Sequence, residues 1–485
     1  MAANVDLIGD TKPEDEQQRR VLIFEADPAE VNAKKECLPS DVVVEPEILH
    51  DTASHAQSYA GFSPFVAVAE ALPVDYGNTL TATVVGNNAP LIGVELTLFL
   101  RGAKGLARKL SASTSPRGQA RFIYGPAWSP TVMVVIPPGG FWSVVVRGPK
   151  DGVTVDLPPL PDSGPLAWWH RELGITDVER DLGSGIKVGV IDSGVGPNDR
   201  LAHVKCIGSF INGKFDAGGG ADVGTHGTHV CGMIGARPIR NMDFIGIAPG
   251  VDLFCARVFP AGQGRANQGD ITDAIDSLSK DHQVDLINMS FSTPTSSIIE
   301  QDAIKDALER GTLCICAAAN YAGKVRFPAA FPESVAVSAL GLEGWGPDGS
   351  LASTCQPTER EKFGLDYLYL ANFSCFGREI ACCAPGVGII STMTDRHGLV
   401  TPYGAMDGTS MASPAACAAL AVLLSTNSGF QNMSRDESRA EFARSLLMRS
   451  CQDVGMHAIF QGRGIPRLPK RVAPAKPKPS RFQVV

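Results

Sequence analysis

The sequence predicts two folded units in series: a small all-β sandwich, then an α/β domain with a mostly parallel sheet flanked by helices. Three observations carry this. Apolar residues alternate with period two across residues 76–150. Beyond about residue 167, short apolar runs alternate with longer stretches of helical pattern. Between them stands a break holding Pro158, Pro159, Pro161 and Pro165. Period-two alternation marks half-buried strands, and buried runs alternating with helices mark βαβ units. A chain of 485 residues exceeds one ordinary core, which agrees with several domains.

Taken in order, residues 1–20 are polar and acidic, and disorder is expected there. Residues 21–50 hold two strand-like runs, Val21-Leu22-Ile23-Phe24 and Val42-Val43-Val44. In 76–150, Leu80, Ala82 and Val84 share one face. Val94, Leu96, Leu98 and Leu100 share another, and Trp142, Val144 and Val146 a third. Turns such as Gly86-Asn87-Asn88 and Pro137-Pro138-Gly139-Gly140 separate them. Residues 151–166 read as a linker. The α/β texture then runs over 167–468, with a buried strand at Ile186–Ile191 and helices over 225–236, 270–280 and 299–310. Residues 469–485 form a basic, proline-rich tail that should be extended and solvated.

Composition excludes several classes. With 44% apolar and 19% charged residues, the chain has ample surface to bury. A net charge of -8 argues against a nucleic-acid binder relying on a basic field. No apolar run reaches membrane-spanning length; the best, Met411 to Leu424, is interrupted by Ser413 and Pro414. The N-terminus has neither a basic n-region nor an apolar h-region. Of the 12 cysteines many lie in or beside apolar segments, and none form C-x-x-C. Reduced thiols and a cytoplasmic location are therefore expected.

Three segments carry chemistry. Asp192-Ser193-Gly194 ends a buried strand, His226-Gly227-Thr228-His229 opens a helix, and Gly408-Thr409-Ser410-Met411-Ala412-Ser413-Pro414 enters another after a glycine turn. Ligand sites in open α/β sheets lie beyond the carboxyl ends of strands, where all three are expected. A serine hydroxyl is a weak nucleophile until a base takes its proton, and imidazole suits that base. A buried carboxylate fixes the imidazole tautomer and stabilises the imidazolium.

On these motifs and their order, residues 167–468 resemble a subtilisin-like serine protease of the subtilase (peptidase S8) family. The resemblance implies that Asp192 orients, His226 is general base and then acid, and Ser410 is the nucleophile. Cys316-Ala317-Ala318-Ala319-Asn320 resembles the family's oxyanion turn, so Asn320 is the expected side-chain donor. Ser290-Phe291-Ser292-Thr293 and Gly264 are expected to line the substrate cleft. The implied activity is a serine endopeptidase acting through an acyl-enzyme on protein or peptide substrates, with a dedicated partner substrate conceivable. No nucleic acid, membrane, cofactor or metal is called for.

The sequence also departs from the family pattern. Ser292-Thr293 replaces a glycine pair in the cleft strand, and Ala319 replaces the glycine before the oxyanion asparagine. Extra atoms there imply a preference for a small residue before the scissile bond. The loop Arg237–Asp243 holds one carboxylate and two arginines, a poor cage for calcium. Asp222 reads equally as a cleft residue or a turn residue. Residues 21–50 resemble the end of a propeptide, with autoprocessing implied, and 76–150 resemble a transthyretin-like or carboxypeptidase-regulatory-like domain. The rival reading is a latent or silent subtilase-fold module held inactive by its N-terminal region.

Overall fold

The computed structural model describes residues 6–10, 19–35, 38–39, 41–52, 77–162, 164–262, 264–395 and 401–469. The proline-rich tail from residue 470 onward and most of residues 1–20 lie outside them.

The α/β unit is built on a nine-stranded sheet. Seven strands run parallel, in the spatial order Lys205–Ile211, Asp252–Arg257, Lys187–Asp192, Leu286–Met289, Leu313–Ala317, Val335–Leu342 and Ile380–Pro385. Lys214–Asp216 and Leu368–Leu370 pair antiparallel at its margins. The central strands read as unbroken apolar runs because helices cover both faces: Val188, Val190, Leu286, Ile287, Leu313 and Ile315 are all fully buried. One face packs on the helices Gln268–Asp276 and Ile298–Glu309, the other on His226–Gly235 and Thr409–Ser425. The strand succession reverses beside Lys187–Asp192, which places the crevice at its carboxyl end.

The N-terminal unit is a two-sheet stack. One sheet holds Val144–Arg147, Ser129–Ile136, Glu95–Arg101 and Ala107–Ser113. The other holds Val153–Asp156, Asn78–Gly86, Ala89–Pro90 and Gln119–Tyr124. Leu80, Ala82 and Val84 meet Val94, Leu96, Leu98 and Leu100 in its core. The stretch expected as a linker from residue 151 begins instead with a strand. Val153–Asp156 pairs parallel with Ala82–Val85, because Val155 and Leu157 bury in the sandwich core. The sandwich docks on the α/β unit through Val145 N–H to Gly349 O (3.0 Å), Leu351 N–H to Ser143 O (2.7 Å) and Trp142 edge-on to Trp345.

Two further expectations are corrected at the N-terminus. Residues 1–20 are not wholly irregular: Asp6–Asp10 pairs antiparallel with Leu22–Glu25, and Arg20 binds Asp10 at 2.6 Å. Arg19 reaches Asp276 (3.1 Å) and Asp306 (2.8 Å) on the two outer helices. Val42–Val44 is not a strand. The chain there runs extended across the α/β unit, where polar contacts hold it. Glu45 accepts from Ser297 Oγ and from Ile298 N (2.9 Å), so a carboxylate stabilises the N-terminus of helix Ile298–Glu309. Gln268 accepts from Ile48 N (2.7 Å) and donates to Pro46 O (2.8 Å). The strand forms just beyond, at Leu49–Thr52. It lies antiparallel between Arg265–Asn267 and Phe291–Ser292, as the middle strand of three.

Candidate active site

Asp192 stands at the carboxyl end of its strand, fully buried, and its Oδ1 accepts the Ser193 N–H at 2.7 Å. The chain must turn sharply here: Gly194 has φ +105°, and a Cβ would lie 2.6 Å from Gly220 O.

The helix His226–Gly235 is delivered to this turn by Asp222. Thr225 occupies the N-cap position at φ +74° with no side-chain cap of its own. Asp222 takes over the capping. Its Oδ1 accepts from Gly224 N (2.8 Å), Thr225 N (2.9 Å) and Ser193 Oγ (2.9 Å), and its Oδ2 from Thr228 N (3.0 Å), Thr228 Oγ1 and Thr394 Oγ1 (3.2 Å). The sequence left Asp222 undecided between cleft and turn; it ties the Asp192 turn to the His226 helix. Gly227 must be glycine, because a Cβ would fall 2.1 Å from Gly194 O.

His226 Nδ1 lies 2.8 Å from Asp192 Oδ1 and 3.0 Å from Oδ2. A carboxylate only accepts, so Nδ1 carries the proton and Nε2 presents its lone pair. Nε2 is buried and has no hydrogen-bond partner among the described residues. Burial by itself would lower the imidazole pKa. The charge and hydrogen bond of Asp192, with Asp222 behind, outweigh it and raise the pKa above 6.5. His229, one turn on, is a structural group. Its Nε2 donates to Ile389 O (3.0 Å) and Gly404 O (3.2 Å), and burial drives its pKa down to about 3.

Ser410 enters the helix Thr409–Ser425, whose sixth residue is Pro414. Proline has no N–H, so the Ser410 carbonyl lacks its intrahelical donor. Ser290 Oγ supplies one at 3.0 Å. Ser290 Oγ is held in turn by Asn288 Nδ2 (3.0 Å), and Asn288 Oδ1 by Ser413 Oγ (2.7 Å). The Ser410 hydroxyl donates to Ser290 O at 3.0 Å, not to His226. The aspartate–histidine half of the expected triad is thus formed and the histidine–serine link is not. Such links often tighten only in the productive complex, and a serine side chain changes partner by rotating about χ1.

Asn320 Oδ1 accepts from Thr409 N (2.9 Å) and Thr409 Oγ1 (2.8 Å), which turns its amide nitrogen end away from Thr409. Thr409 Oγ1 also accepts from Ala319 N (3.1 Å). Ala319 sits at φ +89°, in the left-handed region, fully buried. Of the expected cleft residues, Phe291 and Ser292 pair with Thr52 and Asp51. Thr293 bridges to Phe327, and Gly264 (φ +65°) leads into the opposite edge at Arg265. Asp243 of the loop Arg237–Asp243 is taken up by Arg200 (2.9 Å) and by the N–H groups of Ile239 and Arg240 (3.0 Å each). Among the described residues no cluster of three His, Cys, Asp or Glu could hold a metal.

At its switch point the parallel sheet carries a buried acid–histidine pair and a serine that opens a buried helix. The sequence model of the subtilase family, peptidase S8, matches residues 183–465, and the chain belongs to that family. It is similar to the minor extracellular protease Epr of Bacillus subtilis (strain 168), at 32% identity over 262 residues, covering 53% of this chain and 35% of that protein. It is also similar to the major intracellular serine protease of the same organism, at 30% identity over 281 residues, covering 55% and 76%. A solved structure of proteases from Pseudoalteromonas arctica PAMC 21717 aligns at TM-score 0.47 and 23% identity, over 59% of this chain and 89% of that one.

Two predictions follow from the geometry. Only neutral His226 can accept a proton. Activity therefore falls as pH drops through its raised pKa, and the acid limb of kcat/KM should have its midpoint above the 6.5 of free imidazole. A pH profile from 5 to 9 checks this; a midpoint at or below 6 contradicts it. Gly227→Ala should push the histidine helix off the Asp192 turn and lower kcat at least about 100-fold while the chain still folds, read by kinetics beside circular dichroism.

Proposed function

We propose that the chain is a serine endopeptidase that forms an acyl-enzyme, and that it is made as a precursor with its own N-terminal segment in the substrate channel. The observation that carries this is the seating of Leu49–Thr52 as the middle strand between Arg265–Asn267 and Phe291–Ser292. An extended peptide added between two strand edges is how such a cleft would hold a substrate backbone. Its direction supports the reading: antiparallel pairing carries the chain from Ser292 toward Ser290, whose carbonyl touches the Ser410 hydroxyl.

In the reaction, Ser410 Oγ rotates from Ser290 O to His226 Nε2 and attacks the scissile carbonyl as Nε2 takes its proton. The Ser410 N–H and the Asn320 amide stabilise the oxyanion. Asp192 holds the imidazolium, which then protonates the departing amine. Water, deprotonated by His226, hydrolyses the acyl-enzyme. The side chains of Ala319 and Thr293 narrow the site before the scissile bond, which supports a preference for small residues, and Ala53 follows Thr52 in the sequence. The residue 76–150 sandwich fits an accessory role beside a transthyretin-like or carboxypeptidase-regulatory-like resemblance. The eleven described cysteines, all free thiols, support a reducing, cytoplasmic site of action.

The rival reading, a latent module, is favoured by one observation: the Ser410 hydroxyl faces Ser290 while a strand fills the channel. A fluorophosphonate probe decides. We expect labelling of the purified chain after self-cleavage at Ala53–Ser54, seen as a mass change, and neither event with Ser410→Ala. Absence of labelling and of any cut would leave the silent module. Asn320→Ala should lower turnover about 10²–10³-fold, the size such a donor contributes in subtilisins. Ala319→Gly should relieve the left-handed alanine and stabilise the fold by about 1 kcal/mol. It should also raise cleavage after leucine relative to alanine several-fold, up to about 10-fold, read by calorimetry and a peptide series.

A further inference from the structure

Helix Ile298–Glu309 opens with Ser297-Ile298-Ile299-Glu300, the spacing of a capping box. Half of that box forms: Ser297 Oγ accepts from Glu300 N at 3.2 Å. The other half would send the Glu300 carboxylate back to the Ser297 N–H. Instead Glu300 turns inward, fully buried, and meets a residue 250 positions away: His50 Nε2 donates to Glu300 Oε2 at 3.1 Å. His50 is also fully buried, with its ring edge-on to Phe291 at 5.5 Å and its backbone paired with Ala266. Among the described residues, Glu300 Oε1 and His50 Nδ1 have no hydrogen-bond partner.

The floor of this pocket belongs to the α/β unit, and its occupant belongs to the strand in the channel. Once such a strand leaves, a buried carboxylate remains whose partner has gone. An aliphatic side chain in the same place would leave that acid desolvated and unpaired, which is strongly unfavourable. An imidazole packs edge-on to Phe291 and carries an N–H for the acid. The neighbouring Asp51–Arg265 pair (3.0 Å) is half exposed on both sides and contributes little discrimination.

We infer that Glu300 is a specificity-determining residue: it makes the pocket for the fourth residue before the scissile bond select histidine, in the chain's own N-terminal segment and in substrates alike. This rests on the endopeptidase reading above and on a cut after Ala53, which makes His50 the fourth residue back. The substrate class is thus an extended peptide with histidine three residues before a small residue at the cut.

The test uses the self-processed protein and two peptides, Ile-Leu-His-Asp-Thr-Ala-Ser-His and the same peptide with leucine in place of histidine. We expect wild type to cleave the histidine peptide with kcat/KM at least about 10-fold higher, and Glu300→Leu to reverse the order. In the full-length chain, His50→Leu and Glu300→Leu should each slow self-cleavage, and the double substitution should restore much of the rate. That rescue also shows that the variants fold. Equal cleavage of the two peptides by wild type, or a histidine preference that survives Glu300→Leu, overturns the inference while Ser410 still reacts with the fluorophosphonate. If the endopeptidase reading itself fails, neither peptide is cut and no labelling occurs.

Discussion

The site depends on one contact, the Asp192 carboxylate against His226 Nδ1. Everything around it serves to keep that contact in place without solvent. The carboxylate ends a central strand with parallel neighbours on both sides, so its position is set by two ladders. The imidazole opens a helix whose first turn is pinned by a second carboxylate, Asp222. Burying an acid next to an imidazole is favourable only when the geometry is good and the remaining lone pairs are satisfied. Here the Ser193 N–H, fixed in the Gly194 turn, supplies the further hydrogen bond. The raised imidazole pKa expresses the same balance: desolvation lowers it, and the charge and hydrogen bond of Asp192 together with the charge of Asp222 outweigh that.

Ser410 is anchored by different means. Pro414 removes a helix hydrogen bond at the place where the helix must approach the cleft strand, and Ser290 fills the gap. The same residue gives its hydroxyl to the Ser410 carbonyl and its own carbonyl to the Ser410 hydroxyl. Backbone and side chain of Ser410 are therefore referenced to one residue, Ser290. The Asn288–Ser413 link continues this network into the core, where a half-satisfied polar group would be costly. Thr409 does the equivalent for Asn320, fixing which end of the carboxamide faces outward.

The N-terminal segment is held by polar contacts, Arg19 on two acids, Glu45 on a helix end and Gln268 on two backbone groups, and by burial of Val21 and Ile48. None is an extended apolar interface, and helix Pro28–Lys35 buries no residue. His50 is the segment's fully buried polar residue, edge-on to Phe291 and bonded to Glu300.

Much of this was legible in the residues alone. Asp192, His226, Ser410 and Asn320 sit in compact motifs, since each needs a particular turn or helix start and those turns demand Gly194, Gly227 and Gly408 nearby. Buried strands such as Lys187–Asp192 and Leu286–Met289 declared themselves by apolar runs. The sandwich showed in the alternation of Leu80, Ala82 and Val84. What sequence order could not carry were partnerships across the chain. Val42–Val44 has strand propensity but meets no ladder, whereas Leu-His-Asp-Thr, with no strand signal, becomes a strand because two waiting edges satisfy its backbone. Asp222 could be weighed only once the turn and helix it joins were in place. Glu300 looks like a capping residue until His50 is folded against it. The sequence by itself determined which polar side chains stand at strand ends and helix starts, because local backbone geometry dictates their neighbours. The tertiary structure decided which partner each one faces, because hydrogen bonds between distant segments depend on where the sheet brings them.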